Sequence, residues 1–172
     1  MKNFVLGMLA GALALVLGTV LYLRLGFAEV RGDLAPGALE TKLMNAAVHA
    51  AVRREAPEAT NPVAPTDENL IAGGKLYNNN CNGCHGALGS TEDSSDSLFP
   101  PIPQFHKVGT QYSEAQIFWI VKHGIRRSGM FANGKWIQDK DLWSMAGYVK
   151  RARELPPAVQ AALMQKKNDA GK

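Results

Sequence analysis

The chain reads as an all-α protein, and three observations support this. No stretch sustains the apolar–polar alternation of a half-buried strand. Apolar residues recur instead at three- and four-residue spacings, bracketed by helix-start and helix-stop residues. A third signal is the uncharged run from Phe4 to Leu23. At 1.5 Å rise per residue it spans about 30 Å, the thickness of a bilayer's hydrocarbon core. The 172 residues leave room for one domain plus appendages.

The apolar run is longer than the h-region of a secretory signal, although "GFA" before Glu29 resembles a cleavage site. Tyr22 and Arg24 suit an interfacial anchor with a snorkelling charge. Residues 1–26 are therefore expected to be a transmembrane anchor. Next, Leu39, Leu43, Ala46, Ala47 and Ala50 recur at helical spacing, with Val48 and Val52 widening the stripe. This predicts a juxtamembrane helix over 38–55, stopped by Pro57, and a Pro/Ala linker completes a 27–63 region. His49 on this helix reads as a surface or packing residue.

Thr66 is a good N-cap, with Asp67 and Glu68 in the first turn of a helix reaching Asn79. Residues 89–97 are polar and acidic, hence a loop, and prolines hold "LFPPIPQF" extended. Ser113 and Glu114 start a helix that Gly124 stops. Asp139 or Lys140 begins the next, which Pro156 and Pro157 end. Residues 157–172 read as a basic C-terminal tail carrying at most a short, frayed helix. From Lys150 onward there are six Lys/Arg against two Asp/Glu, and the net charge is only +4. No aromatic-interleaved basic stripe marks a nucleic-acid surface, so no nucleic-acid partner is expected.

Cys81 and Cys84 are the chain's two cysteines, within "YNNNCNGCHG". A dithiol redox centre would follow a strand in a βαβ unit, and none precedes Cys81. A structural zinc site needs four ligands, and His106 and His123, seventeen residues apart, fit its usual spacing poorly. A disulfide across so short a loop stabilises little. Cys-x-x-Cys-His is the haem attachment signature. It predicts thioethers at Cys81 and Cys84 and His85 as proximal iron ligand. Such attachment takes place outside the cytoplasm, which would orient the anchor.

With these residues the sequence resembles the class I cytochromes c, specifically their membrane-anchored bacterial members, over roughly Ala64 to Pro156. "GGKLYNNNCNGCHG" resembles the first helix of that family, and "FPPIPQF" the segment whose carbonyl orients the proximal histidine. "IVKHGIRRSGMFA" resembles the segment that delivers a distal methionine, and "DLWSMAGYVKRARELP" the closing helix. The resemblance implies a haem domain over 64–156 with one covalent haem c, bound by Cys81, Cys84, His85 and Met130, the last two on iron. It also implies that His85 donates to a carbonyl of Pro100 or Pro101, and that Gly73 lies where the last helix crosses, with Gly74 off the contact. His106, His123 and Met145 are rival iron ligands to Met130, but Met145 reads first as core, and His106 and His123 as surface or propionate-side groups. Trp119, Ile120, Ile125, Trp136 and Trp143 read as core or pocket packing, and Arg126 and Arg127 as groups that neutralise a propionate or form a docking rim. The chain departs from the family pattern in its membrane segment, its extra helix, its acidic loop, and in Phe131, where a proline often follows the methionine.

The expected function is that of a membrane-tethered, single-pass one-electron carrier, not an enzyme, in a bacterial periplasmic respiratory chain with redox-partner proteins. Two alternatives stay open. One is a haem subunit fixed in a larger membrane redox complex. The other is a gas- or peroxide-reactive haem protein.

Overall fold

The computed structural model describes residues 1–32, 34–90 and 98–169, with side chains through residue 164. Most of the acidic loop expected at 89–97 lies outside these residues. The described residues form eight helices and no strand. The chain divides into two units, Met1–Gly32 and Asp33–Lys172.

The first unit is one helix, α1 (Lys2–Arg24), which contains the whole uncharged run. Its 23 residues are long and apolar enough to cross a membrane. It ends where Gly26 takes a positive φ of 75° and Phe27 stacks on Tyr22, ring centroids 5.9 Å apart.

In the second unit, α2 spans Ala38–Glu55, α3 Asp67–Asn80, α4 Asn82–His85 and α5 Phe105–Val108. It continues with α6 (Glu114–His123), α7 (Asp139–Arg151) and α8 (Pro157–Asp169). The caps are those the sequence announces. Thr66 Oγ1 accepts from Asn69 N at 3.3 Å. Ser113 and Gln116 form a reciprocal capping box, which satisfies two otherwise orphaned N–H groups. The short helices α4 and α5 have too few residues to show a period.

The core is built on α7, whose residues Leu142 to Val149 are all buried. Helix α3 crosses it so closely that a Cβ on Gly73 would strike the Ser144 carbonyl group. On the other side α6 lays Phe118 flat on Trp143, 4.2 Å between centroids. A half-buried ion pair joins Glu114 to Arg151 at 2.6 Å. The linker is fastened to this joint, because Asn61 Nδ2 donates to Glu114 and to the Trp143 carbonyl.

Three expectations need correction. Gly74 is not off the contact: a Cβ there would fall 2.6 Å from Leu163 of α8 and 2.8 Å from Tyr148. For the same reason 157–172 does not begin as a solvated tail, since Val159 and Leu163 of α8 are buried in the core. In α2 the buried residue is Val52, while Leu39, Leu43, Ala46, Ala47 and Ala50 are exposed. Apolar residues surround this helix, so their spacing alone could not choose a face. The contact on α6's side chooses it, and Tyr112 Oη lies 2.7 Å from His49 Nδ1 there.

Candidate haem-binding site

The two cysteines and His85 lie on a turn that α3 feeds directly. Cys81 caps α3 by donating its N–H to Tyr77 O at 2.8 Å. Its carbonyl then accepts from the N–H groups of Cys84 and His85, at 3.1 and 2.9 Å, to make α4. Gly86, at φ 73°, ends the turn in a conformation that disfavours other residues. Tyr77 holds it from beneath: its buried hydroxyl lies 3.0 Å from His85 O and 2.8 Å from Gly86 O. Burial raises the Tyr77 pKa, so the hydroxyl stays a donor.

The thiols are not joined to each other. Cys84 is exposed and Cys81 half-buried, and burial, with Cys84 adding to it, pushes the Cys81 thiol up to about 11. His85 Nδ1 lies 2.9 Å from Pro103 O. A carbonyl only accepts, so Nδ1 carries the proton and the neutral ring keeps its lone pair on Nε2. Burial lowers the His85 pKa, with the Pro103 carbonyl opposing, and so favours that neutral form.

The acceptor is therefore Pro103, not Pro100 or Pro101. Gln104 sets this register. Its buried side chain donates to Cys84 O at 3.0 Å and Ile102 O at 3.3 Å, which ties the proline segment to the attachment turn. Phe105 then stacks on the imidazole, 4.8 Å between centroids. No local pattern in the sequence marks Gln104, because its partners lie on a distant turn.

Met130 is elsewhere, on the α6–α7 connection, half-buried against the shared core. Gly124 makes this return possible. Its φ is 67°, and a Cβ would fall 2.6 Å from Met130 O. A Cβ on exposed Gly129 would meet the Leu98 side chain.

Met145, His123 and His106 stand in different surroundings. Met145 is fully buried in α7, as expected. His123 is exposed beside Trp119. His106 is not a surface group. Its Nδ1 bonds Ala152 O at 3.0 Å, its Nε2 lies 3.3 Å from Tyr148 Oη, and Tyr77 packs edge-on against its ring. Burial lowers its pKa. Trp136 is 61 % exposed beside exposed Phe131, while Ile137 packs against the core. Trp143 is buried, Trp119, Ile120 and Ile125 are half-buried, and Arg126 and Arg127 are exposed.

A cavity of about 180 Å³ adjoins His85, Gly86, Gln104 and His106, but neither cysteine nor Met130 lines it. The donors themselves decide the chemistry: two thiols in one turn, an adjacent imidazole with Nε2 available, and a half-buried thioether on a second connection. This set fits a haem, for which Cys-x-x-Cys-His is the attachment signature.

Comparison with known families agrees. Residues 68–149 match the family model described as cytochrome C oxidase, cbb3-type, subunit III. They are a class I c-type cytochrome domain. No curated protein and no solved structure matches the chain. The cytochrome domain implies haem c as cofactor and haem-based electron transfer with redox partners. Its match includes α3 to most of α7 and leaves α1, α2 and α8 outside.

Proposed function

We propose that the protein is a membrane-tethered monohaem cytochrome c that carries single electrons in a bacterial periplasm. The observation that carries this reading is the His85 Nδ1–Pro103 O bond at 2.9 Å, which leaves Nε2 available beside two thiols. In this reading Cys81 and Cys84 would form the thioether links to the haem, and His85 and Met130 would ligate its iron. Haem c, when bound, supplies a one-electron Fe(II)/Fe(III) couple. The Pro103 carbonyl fixes the imidazole's orientation and raises its basicity. The Met130 thioether, soft and neutral, favours the reduced state and so a higher potential. With His85 and Met130 both holding the iron, the protein would be a relay and not an enzyme. Helix α1 is a single-pass anchor in the inner membrane, and covalent attachment places the haem domain on the periplasmic side. Donor and acceptor are a quinol-oxidising complex and a terminal oxidase or reductase.

A second reading, a haem subunit fixed in a larger complex, is favoured by two observations. Leu39, Leu43 and Met44 are exposed on α2, next in sequence to the anchor, and the matching family is described as an oxidase subunit. Co-purification from detergent extracts separates the two, because a fixed subunit elutes with its complex and a relay alone. Attachment is tested with acid–acetone. Wild type should keep its haem with the protein, and the double variant Cys81→Ala/Cys84→Ala should release whatever it binds. Release from wild type would disprove covalent attachment.

A further inference from the structure

The loop that carries Met130 poses a problem of stiffness. The methionine side chain is only half-buried, and the next residue, Phe131, is 56 % exposed and leaves the backbone free where proline would fix φ. Arg127 stands at φ 63°, a left-handed conformation that a non-glycine residue adopts only when its surroundings impose it. Something must therefore close this loop from within.

Two connections do so. Ile125 N donates to Met130 O at 2.9 Å across its mouth. Inside it, Ser128 Oγ donates to Ile125 O at 2.8 Å and accepts from Met130 N at 3.1 Å. One hydroxyl thus joins the first residue of the loop to the backbone of the methionine. Ser128 N also donates to Ile125 O, at 3.2 Å, which fixes the serine's own position. The bond to Ser128 Oγ is the one described for the Met130 N–H. The mouth bond does not involve the serine side chain, so losing the hydroxyl loosens the loop without opening it.

We propose that Ser128 is the positioning residue of the distal ligand: its hydroxyl braces the Met130 backbone and slows departure of the thioether from iron. This rests on the reading of Met130 as that ligand. The braced loop costs little to hold, because the serine is already oriented by its own backbone bond. A loop relying on the mouth bond alone would let the Met130 backbone rotate while Phe131 stayed in solvent.

The test measures how fast added imidazole displaces the methionine from the oxidised holoprotein, full-length in detergent. Breaking one ordinary hydrogen bond should speed displacement roughly five- to tenfold. Ser128→Ala and Ser128→Val should both show this increase and a lowered reduction potential, with thermal midpoints near wild type. Ser128→Thr, which keeps the hydroxyl, should exchange at the wild-type rate. The Thr and Val variants share a shape, so the comparison isolates the hydroxyl even if the Ala variant folds poorly. Equal rates for Ser128→Val and Ser128→Thr would overturn the proposal. Met130→Ala separates this failure from that of the underlying reading. It should lose the weak far-red absorption of thioether-ligated ferric haem and bind imidazole without a displacement step. If that band survives in Met130→Ala, the ligand is another residue, and both readings fall.

Discussion

The crossing of α3 and α7 offers a sharp test, because two adjacent glycines meet different kinds of neighbour. A Cβ added at Gly73 would lie 2.7 Å from Ser144 C and closer still to its carbonyl oxygen. Ordinary carbon contacts begin near 3.5 Å, so the helices would have to separate by at least roughly 0.8 Å. Ser144 is backbone in the middle of a helix whose neighbours are all buried, and it cannot step aside. At Gly74 the obstacles are the ends of two side chains, Leu163 Cδ1 and Tyr148 Cε2. Leu163 can change rotamer near the C-terminal edge of the core. Overpacking costs about 1–3 kcal/mol, and replacing a mid-helix glycine by alanine returns about 1 kcal/mol. Gly73→Ala should therefore lose about 2 kcal/mol net, which lowers Tm by roughly 10 °C for a domain of this size. Gly74→Ala should lose less than about 1 kcal/mol, on the same two magnitudes. Thermal unfolding of the detergent-solubilised holoprotein, followed by far-UV circular dichroism, measures both. A Gly73→Ala protein as stable as wild type, or one no less stable than Gly74→Ala, would refute the close crossing.

Two other predictions concern the histidine of the α5–α7 joint and the anchor. His106 has a folded-state pKa below its unfolded value because burial opposes the charge. Its neutral form contributes stability above the ordinary histidine pKa, and this is lost as pH falls through the lower folded value. The denaturant midpoint of wild type should thus fall more steeply than that of His106→Gln from about pH 7 downward. Parallel profiles would remove His106 from the account. For the anchor, protein isolated from membranes should retain residues 1–24, resist alkaline carbonate and need detergent for release. Amino-terminal sequencing that begins at Glu29 would make the segment a signal peptide and the protein a freely diffusing one.

What the sequence determined by itself is everything that depends on neighbours a few residues away. The apolar run of α1, the caps at Thr66 and Ser113, the stop at Gly124 and the Cys81–Cys84–His85 turn are all local. Each is fixed by hydrogen bonds or spacings within about one helical turn, so the residues that cause it are adjacent in the chain. The family resemblance was legible for the same reason, since its motifs are short and contiguous. What the tertiary structure decided are the choices among chemically equivalent partners. Several carbonyls in the proline segment could accept from His85, and Pro103 does so because Gln104 reaches the Cys84 carbonyl twenty residues away. His106 could have faced solvent, but it bonds Ala152, forty-six residues on, once α5 rests against α7. The buried side of α2, the outward turn of Trp136 and the insertion of α8 beside Gly74 depend likewise on which surfaces remain once α3, α6 and α7 have packed. A periodic pattern shows that a residue is apolar, whereas burial depends on what stands opposite it, and that partner is brought there only by the fold.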